Sequence, residues 1–450
     1  MTGAPPGSST SNSAAGFGDK ALTQGGSAGL SALATTPSDM PAKPLDLKGS
    51  VKFGPGFQIA TEDVEYVFQY HNLTQIDGRF YEQGGQVDTR DTFGLPRQWF
   101  IFSGRLKKPY EYYLAINEGF DNLNLLDAYL NVHYWDALQF RVGRYKTPFT
   151  YEFYALPING LITPERSQFF NNFGLNRDVG LMLWGQVFEK KLDYAVGIFN
   201  GNRNGFIDID NGKDVAAFVN FNPFLGSGMP ALEHLNFGGS MDAGQEFAPQ
   251  IPNRLRLNVP TVASAAIGVP FLIFNPGVLD SGSRAFWSLH AAWYYKSLSL
   301  IAEWQSGYQQ MAFNTAPMDR TKVGVQSYYV QAGYFLTGEH VTMRGQLKPK
   351  HDFDLRPGKF GLGAWELAAR YNALDVSDAV FTGGFANPQN WSRTVSSIDL
   401  GVNWYWTQYI KTFMGWQHNV FGTPVLFDSD PVARRMLTDD LFWFRFQLSF

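Results

Sequence analysis

The last twelve residues, Asp439 to Phe450, read DDLFWFRFQLSF. Counted back from the terminus, Phe450, Leu448, Phe446, Phe444 and Phe442 share one parity, and Ser449, Gln447, Arg445 and Trp443 share the other. A repeat of two marks a β-strand, whose successive side chains point to opposite faces. An apolar face ending on Phe, opposite a face carrying Arg and Gln, suits a strand with lipid on one side and water on the other. It suits equally a sandwich strand with one buried face, and the rest of the chain has to decide.

Working outward, the same alternation recurs between turn residues. The segments are 64–80, 97–106, 110–120, 124–134, 138–149, 178–188, 192–202, 214–224, 235–246, 285–295, 298–309, 323–337, 361–375, 395–407, 410–421 and 439–450, sixteen in all. Most are longer than the roughly 5–6 residues of an average strand and close to what a tilted bilayer crossing needs. Tight connections at Lys107-Lys108-Pro109, Trp135-Asp136-Ala137, Glu189-Lys190-Lys191, Lys296-Ser297 and Thr407-Gln408-Tyr409 share one parity. The long ones, 150–177 and 247–284, fall on the other. This is the pattern of an up-and-down barrel with short turns at one end and long outer loops at the other. Residues 338–360 break it, being long on the short-turn side.

Composition agrees. There are 39 Phe, 21 Tyr, 12 Trp, 46 Gly and 24 Pro, which favours strands and turns over helices. Nowhere do about 18 apolar residues run uninterrupted, so no spanning helix is available, and a mean hydropathy of -0.20 is too polar for a helical membrane protein. The fold expected is all-β, a transmembrane antiparallel up-and-down barrel of sixteen strands with its third outer loop folded inward. Residues 1–46, rich in Ser, Gly, Ala, Pro and Thr, read as a disordered linker or processing remnant. Residues 47–63 form an N-terminal extension with room for a short strand at 50–62, and 64–450 the barrel. Alternation places Ile398, Leu400, Val402, Trp404 and Trp406 in lipid, along with Trp365, Leu367, Ala369 and Tyr371. Asp399, Asn403, Glu366, Arg370 and Asn372 face the lumen. Trp287, Trp293, Tyr295, Trp404 and Trp406 suit interfacial girdles.

Several chemistries are excluded. The absence of Cys rules out disulfides, thiolate catalysis and zinc-thiolate sites. A net charge of -4 without a basic run argues against nucleic acid. No HExxH, no GxSxG elbow between a strand and a helix and no phosphate-binding Gly-rich loop is present. The acidic run Asp208, Asp210, Asp214 around Gly212 is spaced like a calcium loop, but the Glu such a loop carries at its twelfth position is missing, and a solvated outer turn competes with it.

The informative stretch is 138–188. A loop of the length of 150–177 in a compact domain is usually functional, and a sixteen-stranded wall encloses an aqueous channel that such a loop can narrow. Arg166 and Arg177 lie on it, Arg141 precedes it at lumen-facing parity, and Gly143 beside Arg141 leaves room for it. Arg144 and Lys146 follow, ahead of a bend at Pro148.

Five segments make the chain resemble the phosphate-selective porin O and P family: GRYKTPF (143–149), ERSQFFNNFGLNRDVGLML (165–183), GAWELAARYNALD (363–375), DLGVNWYWTQYIK (399–411) and the terminal FRFQLSF. The resemblance covers roughly 97–450. It implies a trimeric sixteen-stranded barrel in the bacterial outer membrane, with a third loop that lines a constriction and cations that guide anions through it. By position, Arg166 and Arg177 would sit at the constriction. The family's phosphate-binding lysine in this loop has no counterpart, since 150–177 contains no Lys, and Asp127, Glu303, Glu366 and Asp399 make the lumen mixed in charge.

The reading is a homotrimeric porin in outer-membrane lipid, passing small hydrophilic solutes and favouring anions such as phosphate, with Arg141, Arg144, Lys146, Arg166, Arg177 and Arg370 as anion-guiding residues. It is not an enzyme and needs no cofactor, calcium on Asp208, Asp210 and Asp214 excepted. The competing readings are a non-selective pore, a structural surface barrel binding a partner or calcium through its outer loops, and a barrel hydrolase.

Overall fold

The sixteen alternating segments are all strands in the structure, a computed structural model that describes residues 49–54, 56–82, 91–120, 122–208, 210–257, 268–426 and 434–450. They are β3 (Tyr66–Tyr81), β4 (Thr92–Leu106), β5 (Tyr110–Gly119), β6 (Asn122–Trp135), β7 (Leu138–Lys146), β8 (Arg177–Val187), β9 (Leu192–Phe199), β10 (Asp214–Phe221), β11 (Leu235–Gln250), β14 (Val278–Tyr295), β15 (Leu298–Phe313), β16 (Ala316–Phe335), β17 (Ala364–Val376), β18 (Thr394–Tyr405), β19 (Ile410–Leu426) and β20 (Arg435–Ser449). β1 (Gly49–Phe53) and β2 (Phe57–Thr61) precede them, and the short pair β12 (Leu255–Arg256) and β13 (Pro270–Leu272) lies in a long connection. Each wall strand pairs antiparallel with its neighbour in sequence, and β20 closes on β3 with Phe444 opposite Gly78 and Leu448 opposite Thr74. Closure is obligatory in hydrocarbon, where an open edge would leave N–H and C=O groups without partners.

Parity sorts the faces as the alternation requires. On β18, Ile398 and Leu400 are 41 % and 48 % exposed on the outer face, while Ser397 and Asp399 are 2 % and 3 % exposed toward the lumen. On β20, Phe442 and Phe444 are exposed, and Trp443, Arg445 and Gln447 are buried. Trp293 stacks on Tyr295 at 6.0 Å and Trp365 on Trp404 at 4.9 Å, making an aromatic belt at the short-turn end. Trp287 does not belong to it. β14 begins at 278 instead of 285, which puts Trp287 in mid-strand opposite Ser306.

That difference has a general cause. β14, β15 and β16 run beyond the expected ends toward the outer side, and Ala316–Lys322 alternates in neither exposure nor polarity. Water on both faces leaves no apolar stripe to read. At the other end, the extension holds two strands, not one. β2 pairs with the foot of β3, Phe57 opposite Tyr70 and Ala60 opposite Val67, below the point where Ser449 of β20 meets Leu73. Phe450 packs against Phe53, Phe57 and Tyr70 there. Residues 1–46 lie outside the described residues.

The connection that broke the parity rule hides no missed strand. Residues 336–363 run without a wall strand between β16 and β17, and send Arg344 among the inward-facing side chains, where it pairs with Glu366 at 2.6 Å.

Leu400→Arg should reduce the yield of heat-modifiable folded barrel sharply, because a cation facing lipid at mid-depth costs about 2–4 kcal/mol. Leu400→Phe should not. Equal yields on a mobility-shift gel would show that position 400 does not face lipid.

Candidate functional site

The segment 147–176, between β7 and β8, bonds to inward-facing side chains of several wall strands. β7 stops at Lys146 because Pro148 has no N–H for the ladder. Two helical turns follow, Tyr151–Ala155 and Ile158–Gly160, and then α1 (Gln168–Phe173), whose cap Ser167 accepts a hydrogen bond from the Phe170 N–H. Phe149, Phe153, Phe169 and Phe170 are fully buried. Such irregular backbone lacks a ladder, so its polar groups must find other partners.

Those partners are inward-facing side chains of the wall, joined by Arg344 of the connection 336–363. The carbonyls accept from donors in succession: Gly160 from Arg344 Nε at 2.9 Å, Leu161 from Lys411 Nζ at 2.7 Å, Ile162 from Asn403 Nδ2 at 2.8 Å, Pro164 from Arg445 Nη1 at 2.5 Å, and Glu165 from Arg370 Nη1 at 2.7 Å. The Tyr151 N–H donates to Glu303 Oε1 at 2.8 Å, and that carboxylate also accepts from Tyr329 Oη at 2.9 Å. Gly160 has Gly345 against it, since a Cβ there would sit 2.6 Å from the Gly345 nitrogen. The segment and the connection 336–363 therefore touch backbone to backbone.

An ionic chain runs through the centre. Glu165 accepts two bonds from Arg97, at 2.9 and 2.6 Å, and one from Arg445 at 2.7 Å, while Asp77 holds Arg445 at 2.5 Å and Arg79 at 3.0 Å. Arg97, Arg445 and Glu165 are each under 4 % exposed. Paired in this way, buried ions contribute little net stability, but removing one partner leaves the others desolvated, at about 3–5 kcal/mol.

The basic residues singled out in the sequence separate into two groups. Arg177 is the first residue of β8, not a loop residue, and pairs with Asp127 through Nε at 3.0 Å. Arg166 is 3 % exposed and donates from Nε to the Glu152 carbonyl. Arg370 pairs with Asp399 at 2.9 Å, not with Glu366, and its bond to Glu165 places it against the segment despite its distance in sequence. Arg144 turns away to the carbonyls of Leu125, Arg177 and Gly205 and lies over the Phe206 ring at 4.2 Å. The neighbouring Gly143 adopts φ +130°, where a side chain is strained. A Cβ at 143 would meet the Ala128 oxygen at 2.3 Å and the Tyr129 Cα at 2.8 Å, so this glycine makes room for β6 and not for the loop.

Arg141 and Lys146 differ from these. The Arg141 guanidinium has a ring from each neighbouring strand against it, Tyr129 of β6 at 4.3 Å and Trp184 of β8 at 4.8 Å, with Tyr145 at 5.5 Å. It forms no ion pair among the described residues, and its Nε has no hydrogen-bond partner among them. Lys146 donates to the Phe153 carbonyl at 3.0 Å and likewise has no carboxylate partner among the described residues. Lys146, Arg166 and Arg177 all approach the Phe153 ring, at 5.0, 5.0 and 5.8 Å. Arg141, Lys146 and Arg177 share a cavity of about 970 Å3 that reaches from the segment to the short-turn end, where Lys190, Gln346 and Phe450 line it.

The acidic run does not gather into a site. Asp208 pairs with Lys213, Asp210 accepts from the N–H groups of Gly212, Phe247 and Ala248, and Asp214, at the start of β10, pairs with Arg284 at 2.5 Å. Among the described residues no group of three or more His, Asp or Glu is placed to hold a metal ion. What the sequence reading missed is the bracing set, Arg97, Arg344, Lys411 and Arg445. Inward parity marks Arg97 and Arg445, but no local pattern marks Arg344.

Comparison with known proteins gives a consistent picture. Residues 68–418 match the family described as phosphate-selective porin O and P. Porin O of Pseudomonas aeruginosa is 23% identical over 393 residues, covering 80% of this chain and 84% of that protein. Among solved structures, an anion-selective porin from Comamonas acidovorans superposes with a TM-score of 0.51 at 11% identity, covering 86% of this chain and 100% of that one. OmpF of Salmonella typhi, in complex with daunomycin, also gives 0.51 at 11% identity, covering 89% and 100%. These two share the fold.

Glu165→Gln should remove the charge that Arg97 and Arg445 share and loosen 147–176 while the wall still closes. Limited proteolysis should then cut within that segment, and single-channel conductance should rise. A protected segment with unchanged conductance would mean that the carbonyl bonds hold it without Glu165.

Proposed function

The chain belongs to the phosphate-selective porin O and P family and is a channel of the bacterial outer membrane, and from that premise we propose that it passes small anions, phosphate among them, by passive diffusion as a homotrimer. On this reading 147–176 is an inward-folded third loop that constricts the lumen, and the cavity below it is the periplasmic vestibule. Homotrimeric assembly rests on the family alone.

One observation carries the anion preference. Arg141 and Lys146 line the cavity and have no carboxylate partner among the described residues, so their charges are available to a passing solute. A unit anion 4 Å from such a charge gains about 4 kcal/mol at an effective dielectric of 20. A channel must divide that attraction over several weak stations, or the solute stays bound. Arg141 on the wall and Lys146 beside the loop are two such stations. Arg166 and Arg177 sit next to Lys146 and add to the local potential, though Asp127 offsets Arg177.

The runner-up, a pore with little ion preference, draws on a different observation. Arg177, Arg344 and Arg370 are each matched by a carboxylate, in pairs with Asp127, Glu366 and Asp399. If paired charges dominate the lumen field, selectivity is weak.

Reversal potential in a potassium chloride gradient separates the two readings. The wild type should prefer chloride, and the Arg141→Ala, Lys146→Ala double variant should lose that preference severalfold with the barrel intact, because the field is focused where low-dielectric walls stand close. Arg356→Ala, on the exposed connection where Arg356 pairs with Asp354, should leave it unchanged. A double variant with the wild-type reversal potential would favour the non-selective pore.

A further inference from the structure

The surroundings of Arg141 are more apolar than a site for inorganic anions requires. Three neighbouring strands contribute a ladder of rings to this wall: Tyr113 of β5 stacks on Tyr129 of β6 at 5.2 Å and 9°, and Tyr129 meets Tyr145 of β7 edge-on at 5.7 Å. Trp184 completes the enclosure of the guanidinium from β8. The loop adds Tyr154 to the lining, packed on Phe218 at 5.0 Å with its hydroxyl toward Met182 of β8. The Tyr145 hydroxyl is buried without a hydrogen-bond partner among the described residues.

A strongly hydrated ion such as phosphate gains nothing from rings and loses water beside them. An anion on a flat apolar body gains from both features. With rings of the two neighbouring strands against it, Arg141 can offer a ligand the N–H groups on the edge of its fork, and a carboxylate matches that fork with two coplanar oxygens. An arene attached to the carboxylate then meets other rings in stacked or edge-to-face contact. The cavity, about 970 Å3, is of the size that holds small organic ligands.

The geometry points to a subsite for small aromatic carboxylates in the periplasmic vestibule, with the carboxylate on Arg141 and the ring among Tyr113, Tyr129, Tyr145, Tyr154 and Trp184. This inference rests on the anion-channel reading and adds the solute class. No bond is made or broken, and the solute leaves by exchange with water.

The test compares two anions of equal charge and similar size, benzoate and cyclohexanecarboxylate, of which only the first has a π face. Permeability of each relative to chloride is read from bi-ionic reversal potentials of the purified channel in planar bilayers. The wild type should pass benzoate at least threefold better than cyclohexanecarboxylate. Tyr113→Leu, which removes a ring that is not among those against Arg141, should bring that ratio toward one while the preference for chloride over potassium persists, and Tyr154→Leu serves if the first variant fails to assemble. Equal permeability of the two acids in the wild type would overturn the aromatic subsite and leave the anion channel standing. Loss of chloride preference in the wild type would instead overturn the reading beneath it.

Discussion

Hydrocarbon offers no hydrogen bonds to a peptide group, and this constraint shapes the whole molecule. It forces each wall strand to be paired on both sides, which only the contact of β20 with β3 can complete. It also explains the hairpin at 49–61. The foot of β3 projects below the end of β20, and β2 covers those backbone groups. The long connections then do what a closed sheet leaves them free to do, which is to occupy the lumen or the ends.

Inside the wall the same accounting continues with side chains. A segment without regular structure must satisfy its carbonyls, and Arg344 of the connection 336–363 together with Lys411, Asn403, Arg445 and Arg370 of the wall donate to successive carbonyls of 160–165. Arg344, Arg370 and Arg445 are therefore committed twice, to a carboxylate and to a loop carbonyl. Arg141 and Lys146 line the cavity and have no carboxylate partner among the described residues, nor, in the case of Arg141, a carbonyl. Rings, rather than acids, position Arg141. The channel thus separates structural charge from available charge by what lies beside each guanidinium.

This separation bears on how such a pore tolerates change. Cations bound to carbonyls and carboxylates resist substitution because their removal strands a buried partner. A cation held between aromatic faces can be lost with smaller structural consequence, and the rings that hold it can be altered without touching the ionic chain from Arg97 to Arg79.

The sixteen strands, their faces and the end at which the long loops lie were legible in the sequence, because a period of two against a lipid-water boundary leaves a local trace at every strand. DDLFWFRFQLSF carries that trace in twelve residues, and the alternation on 395–407 places Leu400 and Asp399 on opposite faces as the structure does. The trace vanished where both faces meet water, as at 316–322. Which arginine meets which acid was not legible. Arg370 chose Asp399 over Glu366, Arg177 chose Asp127, and Arg344 arrived from a turn with no periodicity at all. Ion pairs and carbonyl bonds form between residues up to hundreds of positions apart, so only the closed barrel, by setting which inward side chains stand opposite the same stretch of 147–176, decided which charges are paired with acids and loop carbonyls and which are held by rings instead.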